Sequence, residues 1–396
     1  MASKDKTTSH RIDTDIVTVG REPGEYFGFV NPPVYRGSTV LYPDLAAFEQ
    51  RKARYPYGRT GSPTTDSLEA AMTHLEGGAG TVLTSSGLAA IAIALQSQVK
   101  SGDHVLVTDS CYAPTRRFCA NMLTRFGVET EYYDPRIGGA ISDLIRDNTA
   151  VVFLESPGSQ TFEVQDIPAI ADAARDRGVV TMIDNTWATP LFLKALDLGV
   201  DISIHAATKY VGGHSDVMLG TVTANSRTWP SVKETWGFLG ECAGPDVVWL
   251  GQRGIRTLSA RLKHQMAAGI DVARWLEQRP EIAAVLHPAL ESHPDHALWK
   301  RDFSGASSLF SIVLKPGPKE ALAAFVDGLD LFGIGASWGG YESLALPFDP
   351  RAYRTATTWE ADGPAVRLHI GLEDTADLIA DLEAGLERWR NAGGSA

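Results

Sequence analysis

Residues 201–214 read Asp201-Ile-Ser-Ile-His-Ala-Ala-Thr-Lys209-Tyr-Val-Gly-Gly-His214. The run Ile202 to Ile204 has the look of a short buried strand, and it leads through small residues to a lysine and then a glycine pair. A lysine at the end of a buried strand is in an expensive place. Burial favours its neutral amine and makes it a candidate Schiff-base nucleophile; the plain alternative is a strand-end lysine reaching solvent.

The next informative stretch upstream is Val179-Val-Thr-Met-Ile-Asp184-Asn-Thr-Trp187. Asp184 closes an apolar run 25 residues before Lys209, with room between for a helix near 190–198 and one strand. Asp184 and Lys209 are therefore expected at the same edge of neighbouring parallel strands. A buried carboxylate needs a cationic or donor partner. A protonated pyridine nitrogen would serve, with the lysine bonded to an aldehyde on the same ring. The alternative is an Asp that caps the following turn.

Working outward, helical stretches at 66–76, 87–99, 113–126 and 166–177 alternate with apolar runs at 81–84, 104–108, 150–155, 179–184, 201–204 and 219–223. This alternation predicts parallel β-α-β units with helices on both faces, an α/β fold. Residues 1–65 read as an N-terminal arm, polar and loosely held at the start, then broken by Gly and Pro over 17–65. Residues 66–255 would form the large domain and 256–396 a smaller α+β domain. The latter holds a long helix at 256–278, strands at 308–314 and 365–370 and a last helix near 375–390.

In open α/β sheets the chemistry lies beyond the carboxyl ends of the strands. Thr84-Ser-Ser-Gly87-Leu88 follows one strand and opens a helix, so its free N–H groups suit a phosphate, unless it is an ordinary capped loop. Gly77-Gly-Ala-Gly80 sits where a helix should stop, which explains it fully. Tyr112, after the run 104–108, is placed to lie over a planar ring or to be a partly buried aromatic. Tyr57 and Arg59 belong to the arm, which lacks its own core and is expected to pack on another subunit; Arg suits a phosphate or carboxylate. Arg367, inside the run 365–370, needs a partner there: a substrate α-carboxylate or an internal acid.

Composition narrows the function. The 396 residues are 44% hydrophobic and 21% charged, as in a globular protein, which rules out disorder and small disulfide scaffolds. With 36 Lys plus Arg against 48 Asp plus Glu, the net charge of −12 gives no general attraction to nucleic acid or an anionic membrane. Three cysteines without a C-x-x-C pair suggest a reducing cytoplasm. The start MASKDKTTSHRIDTD has no apolar h-region and is not expected to be a signal peptide; no run is long enough to span a membrane. The histidines show no metal-ligand spacing, so no metal is expected.

Taken together, Ala206-Ala-Thr-Lys209-Tyr-Val-Gly-Gly-His-Ser-Asp216, Asp184-Asn-Thr-Trp187, Glu155-Ser-Pro-Gly158 and Tyr57-Gly-Arg59 resemble the cysteine/methionine-metabolism family of pyridoxal-phosphate enzymes over about residues 30–390. Within it, Ser337-Trp-Gly-Gly-Tyr-Glu-Ser343 and Arg367-Leu-His-Ile-Gly-Leu-Glu-Asp374 look most like the bacterial β-lyase branch. Relatives acting at the γ-carbon usually have Leu where Trp338 stands and carry a Pro-x-x-Met-Thr-His stretch absent here. The resemblance implies a type I pyridoxal-phosphate fold, a homotetramer built from two tight dimers, and β-elimination of cystathionine to homocysteine, pyruvate and ammonia. Lys209 would hold pyridoxal 5'-phosphate and move the α-proton. Asp184 would pair with the ring nitrogen and Tyr112 would stack on the ring. Gly87, Leu88 and Thr208 would bind the phosphate, with Tyr57 and Arg59 reaching in from the neighbouring subunit. Arg367, with Ser337 and Trp338, would hold the substrate carboxylate. Lys209 or Tyr112 would protonate the leaving sulfur. Two departures stand out: Ala206 replaces a Ser of many γ-acting relatives, and Ser159 replaces an Asn that several relatives aim at the ring hydroxyl.

Other readings remain open at this point: a sister cysteine desulfhydrase, γ-lyase or γ-synthase, a nicotinamide dehydrogenase, or a non-catalytic binding protein on the same fold. The dehydrogenase lacks a G-x-G-x-x-G after its first strand.

Overall fold

The computed structural model describes residues 10–396. Twelve strands form two sheets. They are β1 (Gly80–Thr84), β2 (His104–Thr108), β3 (Glu129–Tyr133), β4 (Thr149–Glu155), β5 (Val180–Asp184), β6 (Ile202–His205), β7 (Gly220–Ala224), β8 (Ile282–Leu286), β9 (Leu309–Leu314), β10 (Gly333–Ile334), β11 (Leu344–Phe348) and β12 (Ala365–His369). The first sheet runs β1-β7-β6-β5-β4-β2-β3 and the second β10-β11-β12-β9-β8.

Strands β3, β2, β4, β5 and β6 are mutually parallel, as the alternation of strands and helices requires. The large sheet is thus mostly parallel, as expected, and departs from that order only at one edge. There β7 pairs antiparallel with both β6 and β1. Thr221 and Thr223 of β7 are buried, and the Thr81 and Thr223 hydroxyls bond across the pair at 2.8 Å, so an apolar run alone did not reveal its direction. Helices on the two faces bury Leu68, Met72 and Ile167 in one layer and Ile91, Ile93 and Leu95 in the other. Each layer takes one set of the alternating strand residues: Leu106, Val152 and Leu154 in the first, Val105, Val107 and Phe153 in the second.

The second sheet is mostly antiparallel, with the helices Leu258–Glu277, Lys319–Asp327 and Thr375–Asn391 closing its apolar face around Phe310, Phe325 and Trp389.

Several local expectations shift. The loosely held start falls partly on residues 1–9, outside the described residues. Beyond them Ile12–Thr18 is helical, with Ile16 buried, because Asp13 ties to Lys263 and Ser259 of the long helix. The helix expected near 190–198 is one short turn, Thr189–Phe192, and a 3-10 turn, Leu196–Leu198. The stretch 113–126 is helical as far as 125, with a π-helical insert over Cys119–Leu123. Among the described residues no helix is long and apolar enough to cross a membrane.

Candidate active site

Three parallel strands deliver their last residues to one edge. Glu155 ends β4, Asp184 ends β5 and faces Glu155 in register, and β6 ends at His205, four residues before Lys209. At that edge lies a cavity of about 420 Å³. Lys209, Asp184, Tyr112, Gly87, Leu88, Thr208, Ser159, Ser337, Trp338 and Arg367 all line it, although they come from segments far apart in the chain.

Lys209 donates from Nζ to the Ser337 hydroxyl at 2.6 Å, and the same nitrogen lies 5.5 Å from the centroid of the Trp338 ring. Its pKa is lowered to about 8, first by burial and then by the Arg367 charge, against the pull of Asp184. A buried amine of this kind is neutral, and therefore nucleophilic, far more often than a surface lysine.

Asp184 uses one oxygen, Oδ1, to accept the N–H and hydroxyl of Thr186, whose hydroxyl in turn accepts the Ala206 N–H at 2.9 Å. Its other oxygen makes no hydrogen bond among the described residues. Burial raises the Asp184 pKa, against the pull of Thr186, His205 and Lys209. Glu155 is raised still further, first by burial and then by the Asp184 charge, while it accepts the Tyr112 N–H at 2.7 Å. The two carboxyls face each other in register, so each disfavours the charge of the other. Sequence reasoning assigned Glu155 no role. The available signal was a charged residue closing the apolar run 150–155 in the manner of Asp184.

At the opposite wall, helix Gly87–Gln96 begins under the Ser86 cap, whose Oγ accepts the Ala89 N–H at 3.2 Å. The N–H groups of Gly87 and Leu88 stay outside the helical ladder, at the positive helix end. A Cβ on Gly87 would stand 2.5 Å from the Ala206 Cβ, so only glycine lets this turn approach the Lys209 segment so closely. Thr208 lines the same cavity, and its hydroxyl donates to the Leu219 carbonyl at 3.1 Å and accepts the Leu219 N–H at 2.9 Å.

Arg367, at 7% exposure, donates from Nη2 to the Ser337 carbonyl at 2.9 Å. No acidic residue pairs with it among the described residues, and burial lowers its pKa to about 10. Its remaining N–H groups are left for an anion in the cavity. The Tyr112 phenol is held protonated, chiefly by burial and then by the charge of Asp184. Tyr57 and Arg59 are not brought to this cavity. They line a separate one with Trp236 and Cys242, where Arg59 donates to the Gly237 carbonyl at 3.3 Å.

An anion cradle, a half-satisfied carboxylate and a buried amine of lowered pKa fit the phosphate, ring nitrogen and aldehyde of pyridoxal phosphate, and this arrangement defines a pyridoxal-phosphate enzyme of α/β fold. The chain belongs to the family described as Cys/Met metabolism PLP-dependent enzyme, which it matches over residues 13–387. It is 54% identical to a putative cystathionine beta-lyase of Rhizobium johnstonii over 381 residues, 94% of this chain and 95% of that one. It is 44% identical to the cystathionine beta-lyase of Escherichia coli over 389 residues, 96% of this chain and 98% of that one. Among solved structures, cystathionine gamma synthase from Xanthomonas oryzae superposes with a TM-score of 0.89 at 33% identity, covering 97% of this chain and all of that one.

Proposed function

We propose that this enzyme is a carbon–sulfur lyase that cleaves L-cystathionine by β-elimination to homocysteine, pyruvate and ammonia. The observation that carries the reading is the buried Arg367, with no acidic partner, beside the Lys209 amine: a place for an α-carboxylate next to a base. The beta-lyases at 54% and 44% identity support the choice of substrate.

When bound, pyridoxal phosphate supplies an aldehyde for the substrate amine and a ring that accepts the electron pair left at Cα. Asp184 would favour a proton on the ring nitrogen, because its second oxygen accepts no other hydrogen bond among the described residues. Arg367 fixes the carboxylate and so turns the Cα–H bond toward Lys209. Lys209 Nζ, the group that would hold the aldehyde, would take that proton and deliver it to the leaving sulfur. The Tyr112 hydroxyl is the second acid at the same cavity. Ser337 holds Nζ in place through its 2.6 Å contact.

Trp338 supports β over γ cleavage. It packs against Tyr210 with ring centroids 5.3 Å apart and stands beside the carboxylate site, where its bulk limits movement of the substrate's Cβ–Cγ segment. The likeness to a gamma synthase keeps γ-bond chemistry as the second reading.

The reading includes a homotetramer of two tight dimers in the cytoplasm. The arm exposes Phe27 at 97% and Leu41 at 88%, apolar surface that a second subunit would cover. Tyr57 and Arg59 would then reach the partner's phosphate. The three unpaired cysteines support a reducing compartment.

The test is incubation with L-cystathionine and separate assays for pyruvate, homocysteine, cysteine and 2-oxobutyrate. Pyruvate and homocysteine are expected, and L-methionine should not react. Dominant 2-oxobutyrate and cysteine would replace the β-lyase reading with the γ-lyase one.

A further inference from the structure

The cavity wall opposite the phosphate cradle is the turn 156–163, and its geometry is unusual. Gln160 has φ of 67° and Phe162 of 60°, a left-handed backbone that non-glycine residues adopt only when their surroundings force it. The forcing comes from three sides. Ser159 donates its N–H to the Ser110 carbonyl at 2.8 Å, and a Cβ on Gly158 would strike Ser110 at 2.5 Å. Ser311 donates its hydroxyl to the Gln160 carbonyl at 2.6 Å, and Ser311 is the cross-strand partner of Arg367. The turn therefore abuts the strand position that carries the proposed carboxylate anchor.

The third side is a segment of the second sheet that the site description has not used. After β11, residues 353–357 double back onto the first sheet. Asp109, fully buried, accepts the N–H of Thr355, Ala356 and Thr357 at 3.0, 3.1 and 2.8 Å. Arg354 forms a buried ion pair with Glu163 at 2.8 Å and also donates to the Thr161 hydroxyl. Tyr353, its phenol held protonated by burial, donates its hydroxyl to the Gln160 side-chain carbonyl. Asp109 and Glu163 lie outside the cavity, and neither Tyr353 nor Arg354 lines it, whereas Gln160 does.

We propose that Tyr353, through Gln160, and Arg354, through Thr161 and Glu163, are positioning residues: they lock the turn beside Arg367 and so set how tightly and in what orientation the cavity takes an amino-acid carboxylate. The proposal rests on the reading of Arg367 as carboxylate anchor, but not on which carbon–sulfur bond is cut. A strained turn with one loose end would sample other backbone states, and the carboxylate site would be formed only in a fraction of molecules, which weakens binding by that fraction. Segment 353–357 follows β11 after one 3-10 turn, Pro350–Ala352, and β11 pairs with β12 and its Arg367, so one latch holds both walls of the site.

The test uses the holoenzyme and glycine, an amino acid without a leaving group, with its dissociation constant read from the change in cofactor absorbance. Tyr353→Phe removes one hydroxyl and little else. It should weaken glycine binding about 5-fold, the loss of one ordinary hydrogen bond, with cofactor content unchanged. Gln160→Leu should weaken it by a similar factor, and Tyr353→Phe should add nothing in the Gln160→Leu background, because one residue works through the other. Arg354→Lys provides the second handle, with the same direction. Unchanged glycine binding in Tyr353→Phe, or effects of the two single changes that simply multiply, would overturn the proposal. A fall in thermal stability without a change in glycine binding would assign the latch to folding alone. Failure of the lyase reading shows separately, as absence of pyruvate from L-cystathionine in the unaltered enzyme.

Discussion

The Lys209 amine and the Ser337 hydroxyl stand 2.6 Å apart, although 128 residues separate them and each belongs to the neighbourhood of a different sheet. Lys209 follows β6 of the first sheet, and Ser337 precedes β11 of the second, in the turn whose carbonyls hold Arg367. The contact places the base and the carboxylate anchor on one framework, so that a substrate held by Arg367 presents its Cα to Lys209.

Lys209→Ala should abolish turnover and leave no covalent bond between protein and cofactor. Borohydride treatment of the purified enzyme, followed by peptide mapping, checks this: the cofactor should be fixed to Lys209 in the unaltered chain and to no residue in the variant. Fixation to another lysine in the variant would move the nucleophile elsewhere.

The Lys209 amine, lowered to about 8 mainly by burial, sets a pH dependence for cofactor uptake. Below that pH the amine is protonated and cannot attack an aldehyde. The rate at which cofactor-free protein takes up pyridoxal phosphate should climb about tenfold per pH unit and level off near 8, instead of continuing toward the ordinary lysine range. Arg367→Ala removes a neighbouring charge that lowers this pKa, so its levelling point should move to higher pH. Stopped-flow absorbance over pH 6 to about 10 measures both.

Arg367→Lys should be nearly as harmful as Arg367→Ala, because a point charge does not replace a planar fork. Each should cut kcat/KM for amino acids by about 10²-fold, the order expected for a lost charge-assisted pair, while cofactor content stays the same. Parallel loss of cofactor would mean that Arg367 binds phosphate.

Gly87→Ala should weaken cofactor retention. The new Cβ would meet Ala206 at 2.5 Å, so the helix start must retreat from the Lys209 segment, at a stability cost of about 1–3 kcal/mol. Dialysis against buffer and cofactor content by absorbance report the retention; thermal melting reports the cost.

Arg59→Ala and Lys209→Ala chains, each inactive alone, should regain part of the activity when mixed under conditions of subunit exchange, since one site in such a dimer keeps both groups. No recovery, with exchange proven by mass spectrometry, would assign the arm to the site of its own subunit.

The sequence alone determined the α/β fold and the chemistry of the parallel strand ends. Apolar runs closed by Asp184 and leading to Lys209 carry that information locally, because strand burial and the placement of a charge at a strand end are properties of short segments. The Ser86 cap and the C-cap at Gly77, with its φ of 72°, were legible for the same reason. Only the tertiary structure decided the rest. The antiparallel direction of β7 depends on partners in β1 and β6, not on its own residues. The raised pKa of Glu155 comes first from burial between strands and then from its register opposite Asp184. Arg367 has no acidic partner because the strands around it offer none, a fact no pattern in one segment contains. Likewise Tyr353 and Arg354 read as ordinary loop residues until chain closure sets them 193 and 191 residues away, against Gln160 and Glu163. Long-range contacts between loops have no periodicity to betray them, so their energetics emerge only when both sheets are in place.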